Sequence, residues 1–395
     1  MNIIFISAEL PYPANSGGRI YTWERLKQLK KNENNIYLYT LVEEDEFIDL
    51  NELNVVCTKV NTYKRDKSYI KSLINIKKPF SVISRFVDQM YYDIKEKINH
   101  DNVDLIIIDI PEMLMNCPFD NDICKVVTQH NIEYETFKSI AQNSNDILKK
   151  IIYYFEYIKM KKFEEGYYNN NLIQGCTFIS NIEFKQFKSK FSNIHSICVP
   201  QGYDIENSII NNTEFINNNI KNNIIFTGKM DYEPNIQAVN WFCKSILPLI
   251  KYKIPNAKFY IVGKNPTSEV RRLANDSVIV TGKVKSVKEY FNKSNLCVIP
   301  LKSGGGVKIK LFEALGNGKI VVTTSKGVEG TTFKNNIHVI IQDQADKFAE
   351  MCINILSHPE NYNKMIDNAF NLMKNNYSWS SIGNYYNEFL KSLKR

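Results

Sequence analysis

Three consecutive glycines between an apolar run and a helical pattern make residues 298–318 the part of this sequence best equipped for chemistry. The segment reads Val298-Ile299-Pro300-Leu301-Lys302-Ser303-Gly304-Gly305-Gly306-Val307-Lys308, then Ile309-Lys310-Leu311-Phe312-Glu313-Ala314-Leu315-Gly316-Asn317-Gly318. Lacking side chains, Gly304, Gly305 and Gly306 bare their backbone N–H groups and let a ligand come close. A helix N-terminus beyond them adds partial positive charge and Lys308 a full one, a combination that suits a diphosphate. Glu313, one to two turns further on, is spaced to accept hydrogen bonds from a ribose diol, as acidic residues do in nucleotide sites. A flexible glycine turn before an ordinary helix, with Lys308 and Glu313 merely solvated, fits the same spacing. Two other phosphate motifs are absent. Gly316-Asn317-Gly318-Lys319 lacks the P-loop spacing and leads into a strand, and Asn15-Ser16-Gly17-Gly18 holds only one glycine pair where a dinucleotide fingerprint needs spaced glycines.

A glycine loop of this kind needs a sheet to hold it. The chain opens with Ile3 to Ile6, a Pro/Gly/Ser-rich turn from Pro11 to Gly18, and a helical pattern from Arg19 to Lys31. Ile36 to Leu41, Val103 to Ile108 and Lys125 to Thr128 repeat the apolar run before a helical stretch from Lys149 to Tyr168. After an Asn-rich stretch, Asn207 to Asn223, the pattern restarts with Ile224 to Gly228, Lys258 to Gly263, Val278 to Gly282, Leu296 to Pro300 and Ile320 to Thr324. Continuous apolar strands alternating with helices predict parallel sheets covered on both faces. The simplest account is an α/β chain of two doubly wound halves, with the active site expected in the cleft they face. Tyr377-Ser378-Trp379-Ser380 reads as the N-cap of a terminal helix running to Leu393.

Composition bounds the remaining possibilities. With 395 residues, 44% hydrophobic and 23% charged, the chain has the make-up of a globular protein of about two to three domains. No apolar run approaches the roughly 18 residues of a membrane span, and Ile3 to Ile6 has no cationic leader, so a cytoplasmic protein is expected. Fifty Lys and Arg against 42 Asp and Glu give +8, which fits anionic small molecules, acidic lipid or nucleic acid equally. The eight cysteines are scattered without a CxxC pair, so neither a zinc knuckle nor a disulfide framework is expected.

Several ordered segments go further. They are the Pro11 to Gly18 loop, Gln129-His130-Asn131-Ile132-Glu133, Phe178-Ile179-Ser180, Val199-Pro200-Gln201-Gly202-Tyr203-Asp204, Phe226 to Asn235, Tyr260-Ile261-Val262-Gly263, Thr281-Gly282-Lys283-Val284 and the Pro300 to Gly318 block. In this order they resemble the retaining, nucleotide-sugar-dependent glycosyltransferases of family 4, glycosyl transferases group 1, and within them a subgroup with Ser-Gly-Gly-Gly. The resemblance implies the GT-B fold of two Rossmann-like domains. It assigns residues 1–204 to an acceptor domain, 205–222 to a linker, 223–376 to a nucleotide-sugar donor domain, and 377–395 to a helix crossing back to the first domain.

The resemblance also implies roles. Gly17 and Gly18 look like the glycine loop whose amides face the donor diphosphate or the acceptor. His130 looks like the active-site histidine near the transferred sugar, where an imidazole donates to a hydroxyl or shares charge. Lys229 stands where many relatives have arginine and offsets the leaving diphosphate as a point charge. Gly282 and Val284 resemble the loop that reads the base, Ser303, Gly304, Gly305, Gly306 and Val307 the sugar-facing loop, and Glu313 the ribose carboxylate. Two departures stand out. Asn235 replaces a second cation, for which Lys308 is the candidate substitute, and Gly305 replaces the first glutamate of the family's E-x7-E motif. They motivate an alternative: a catalytically inactive accessory or glycan-binding subunit.

No carboxylate pair is marked out for hydrolysis, so Asp109 and Glu112, like Asp101 and Asp104, read as surface or strand-end acids. The resemblance implies no cofactor and no metal, with a nucleotide-diphosphate sugar as co-substrate and UDP favoured over GDP. It also implies a carbohydrate or lipid-linked acceptor and a role in surface polysaccharide synthesis. Two basic stretches, Lys64 to Lys78 and Lys149 to Lys162, the latter mixed with aromatics, fit either solvated lysines on packed helices or a peripheral contact at the inner face of an anionic membrane. Nucleic acid is not expected, since no RNP-like, helix-turn-helix or zinc-finger pattern accompanies the charge.

Overall fold

In the computed structural model, which describes residues 1–43, 48–65, 77–143, 146–205, 222–304 and 307–394, the chain forms two compact units. One comprises Met1–Gln201 with Ile382–Arg395, the other Gly202–Ser381. The linker expected at 205–222 lies almost wholly outside the described residues.

The first unit is built on a parallel seven-stranded sheet: β1 (Asn2–Ser7), β2 (Asn35–Val42), β3 (Lys59–Lys64), β4 (Leu105–Asp109), β5 (Cys124–Gln129), β6 (Gly175–Phe178) and β7 (His195–Cys198), in the order β3-β2-β1-β4-β5-β6-β7. Ile3, Ile4, Phe5 and Ile6 are wholly buried because helices cover both faces, and this is why β1 reads as an unbroken apolar run. The strand order reverses direction between β1 and β4, and the register there sets Ser7 beside Asp109 at the carboxyl edge. In sheets of this type ligands bind beyond that edge at the reversal. Helix α1 (Gly17–Lys31) follows β1, with Ser16 as its N-cap accepting from the Arg19 N–H at 3.3 Å. Helices α2 (Glu133–Asn143) and α3 (Ile147–Asn169) form a hairpin between β5 and β6.

The second unit repeats the plan. Its strands are β8 (Asn223–Thr227), β9 (Lys258–Val262), β10 (Val278–Gly282), β11 (Leu296–Ile299), β12 (Ile320–Thr323) and β13 (Ile340–Ile341), parallel and ordered β10-β9-β8-β11-β12-β13. The reversal falls between β8 and β11, followed respectively by α4 (Glu233–Trp241) and by the glycine loop with α5 (Ile309–Gly316). Backbones approach closely here. A Cβ on Gly263 would stand 1.6 Å from the Gly228 carbonyl oxygen, so only glycine fits after β9.

The last helix, α6 (Trp379–Ser392), begins in the second unit, where the Ser378 hydroxyl caps it by accepting from the Ser381 N–H at 3.1 Å. From Ile382 onward it belongs to the first unit, whose core takes in Ile382, Tyr386, Phe389 and Leu390.

Candidate functional site

Each unit gathers polar groups at the carboxyl edge where its strand order reverses. In the first unit, His130 follows β5 and its Nε2 lies 3.1 Å from Asp109 Oδ1 at the end of β4. Asp109 is buried and also accepts from the Thr22 hydroxyl at 2.8 Å. Burial alone would raise this carboxyl. The charge and hydrogen bond of His130, the Thr22 hydroxyl and the Arg25 guanidinium outweigh burial and hold it below its ordinary value. With Asp109 as acceptor, the imidazole proton is assigned to Nε2, leaving Nδ1 to accept. A Cβ on Gly18 would stand 3.9 Å from that Nδ1 and 3.0 Å from Glu9 Oε1, so the start of α1 lies directly against the ring. Glu9 in turn pairs with Arg19 at 3.1 Å. Asp109 is thus a strand-end acid, as expected, but neither it nor Glu112 is a surface one: both are buried, and Asp109 is the partner that orients His130.

In the second unit the loop after β8 faces the loop after β11. Ser303 donates to Gln237 of α4 at 3.0 Å, and Gly304, in the left-handed region at φ 103°, packs against Pro234 and Tyr232. Beneath them Lys310 donates to Asn235 Oδ1 at 2.6 Å and lies 4.0 Å from the Phe226 ring centroid. Its Nζ would be 2.8 Å from a Cβ on Gly228, so the ammonium sits under the glycine turn that ends β8. Burial brings this lysine down to about 7, against the opposing pull of Cys297 and Glu313. Glu313 stands 3.4 Å from the Thr227 hydroxyl, and its carboxyl is raised by burial against Lys310 and Thr227. It lines a cavity of 330 Å³ with Tyr203, Val287, Lys288 and Phe291.

The residues expected to act are therefore placed unevenly. Gly17, Gly18 and His130 come together in the first unit; Ser303, Gly304, Lys308 and Glu313 lie in the second, while Gly305 and Gly306 fall outside the described residues. Lys308 is the buried N-cap residue of α5 and donates to the Gly304 carbonyl at 3.2 Å, bracing the loop. The Lys229 side chain is 55% exposed and pairs with Asp231 at 3.3 Å. Gly282 ends β10 in the left-handed region at φ 69°, and Val284 and Val307 pack on the core. Sequence reasoning gives Asp109 no role beyond a surface or strand-end acid and leaves Lys310 unassigned. The signal for Lys310 was its spacing of three from Glu313, which sets both on one helix face.

Comparison with known proteins adds to this geometry. Residues 221–358 match the family model described as glycosyl transferases group 1. The second unit carries a glycosyl transferases group 1 domain. Over the whole chain, an uncharacterized 44.6 kDa protein in the cps region of Klebsiella pneumoniae is similar at 26% identity, covering 96% of this chain and 97% of that one. Among solved structures, a glycosyltransferase from Rickettsia africae superposes with a TM-score of 0.64 at 14% identity, covering 99% of this chain and 98% of the other. Alr3699/HepE from Anabaena, in complex with UDP, gives 0.63 at 10% identity, covering 99% and 100%. The fold is GT-B: two Rossmann-like units, each with a parallel sheet.

Proposed function

We propose that this chain is a retaining glycosyltransferase of family 4 that moves a sugar from a nucleotide-diphosphate sugar to a carbohydrate or lipid-linked acceptor in polysaccharide synthesis. The observation that carries the reading is the constellation of the second unit. A half-buried ammonium, Lys310, stands at the reversal point, bonded to the Asn235 that replaces a cation, and Glu313 lines a cavity on the same helix. The match of that unit to glycosyl transferases group 1 and the cps region of the Klebsiella relative support it, and the Anabaena complex supports UDP as the donor nucleotide.

The chemical difficulty is charge that builds on the diphosphate as the anomeric C–O bond breaks. The bond's electron pair goes to the leaving phosphate oxygen, the acceptor hydroxyl attacks from the same face, and its proton passes to that phosphate. No enzyme nucleophile is needed. Lys310, Lys229 and the amides of the glycine loop offset the charge, and Lys308 holds the loop in shape. Glu313 accepts from the ribose, Gly282 and Val284 flank the base, and His130, its proton fixed on Nε2 by Asp109, keeps Nδ1 as the acceptor for a sugar hydroxyl.

Calorimetric titration with UDP, GDP and ADP, followed by a hydrolysis screen of nucleotide sugars, tests this. UDP binding with slow hydrolysis of a UDP-sugar is expected. Absence of both binding and turnover would overturn it and leave the inactive accessory subunit.

A further inference from the structure

The first half of α3 leaves a broad apolar face uncovered. Ile147 is 75% exposed, Leu148 66% and Phe155 59%, and Ile151, Ile152 and Ile158 are exposed beside them. At 100° per residue these six span an arc of about 140°. The other side of the same helix is taken: Tyr153 and Tyr157 pack on Phe137 and Tyr134 of α2, with ring centroids 6.0 and 6.4 Å apart. A contiguous exposed apolar face of this size marks a binding surface.

Its surroundings are cationic. Residues 147–162 hold five lysines, at 149, 150, 159, 161 and 162, against one acid, Glu156. That acid is engaged by the Phe80 N–H at 2.8 Å and by Lys159. The Phe80 bond also brings the segment Lys77-Lys78-Pro79, the end of the other basic stretch, beside the helix. The last third of the helix is anchored in the unit. Gln129, at the end of β5, donates to Glu164 at 3.2 Å and to Tyr168 at 2.6 Å, and the chain then descends to the start of β6. From Glu164 back to Ile147 the helix runs about 25 Å beyond that anchor.

We propose that this face, flanked by Lys149, Lys150, Lys77 and Lys78, docks on an anionic lipid bilayer. A helix lying in the interface needs an apolar face bordered by lysines, and anionic headgroups complement those charges. A second copy would set lysine against lysine across the contact. The proposal concerns the first unit alone and does not rest on the transferase reading.

Co-sedimentation of the full chain with vesicles tests it. Binding to phosphatidylglycerol–phosphatidylcholine vesicles, weakened by salt and absent with phosphatidylcholine alone, is expected. Lys149→Glu with Lys150→Glu should weaken it by at least about 25-fold, some fivefold per lysine removed. Ile151→Ser with Phe155→Ser should abolish it while circular dichroism and UDP affinity stay unchanged. Equal binding to both vesicles, no binding, or binding that survives the serine pair would overturn the proposal. So would a dimer in sedimentation equilibrium that the serine pair disperses. UDP binding without vesicle binding overturns docking and leaves the transferase reading standing; vesicle binding without nucleotide binding does the reverse.

Discussion

The Lys310 ammonium lies 2.6 Å from the amide oxygen of Asn235, beneath the glycine that ends β8. Asn235 occupies a place where the family resemblance leads one to look for a cation, and the structure brings the cation from another helix. Lys310→Met should lower affinity for UDP and for inorganic diphosphate alike, by about 10- to 100-fold, the worth of a charge-assisted hydrogen bond. Calorimetry with the two ligands reads this directly.

The same lysine makes binding and stability depend on pH in opposite senses. Its folded pKa of about 7 lies below the ordinary lysine value, so the unfolded chain binds more protons between the two. Stability should rise with pH across that window, while diphosphate affinity falls as Lys310 loses its charge. Lys310→Met should flatten both trends in urea melts and UDP titrations run from about pH 6 to about pH 9.

Glu313 separates nucleoside from phosphate. Glu313→Ala should weaken UDP and uridine by about 10-fold or more and leave inorganic diphosphate unaffected, since its proposed partner is the ribose. Equal losses for all three ligands would count against the ribose role.

For the His130–Asp109 pair, His130→Ala should cut turnover by about 100-fold or more with nucleotide affinity unchanged. Asp109→Ala removes the buried acceptor shared by Thr22 and His130 and should cost about 1–3 kcal/mol of stability. The lowered Asp109 carboxyl contributes stability above the ordinary value near pH 3.9, and that contribution is lost as pH falls through its folded pKa. Acid unfolding of Asp109→Asn should accordingly lack this component.

Gly263→Ala tests the close packing after β9. With a Cβ 1.6 Å from the Gly228 oxygen, the backbone must move, and a loss of about 3 kcal/mol or more is expected in thermal denaturation followed by circular dichroism.

The central strands were legible because they are buried on both faces. Ile3 to Ile6, Val103 to Ile108 and Leu296 to Pro300 became β1, β4 and β11 within a residue or two. The edge strands β3 and β13 were not. β3, Lys-Val-Asn-Thr-Tyr-Lys, is only half-buried and carries no apolar run, and β13 is two residues long. At the candidate site, glycines and flanking motifs single out Gly18, His130 and Glu313, and the structure sets Gly18 against the His130 ring and Glu313 on a cavity wall. Asp109 and Lys310 escaped because each draws its meaning from a partner far along the chain, His130 and Asn235, and such pairings exist only once the sheet has formed. The basic helix gave its charge to the sequence reading; that its apolar face is uncovered needed the packing of α2.

The first unit closes with residues from the far end of the chain. Arg25, buried in α1, rests its guanidinium 4.3 Å from the rings of both Tyr21 and Tyr386, and Gly383 packs against Gln28. The second unit, by contrast, is one uninterrupted stretch. During synthesis the order of completion is therefore inverted: the unit begun first must wait, with the site of Tyr386 and Leu390 open, until the ribosome has passed the second unit and delivered the residues from Ile382 onward.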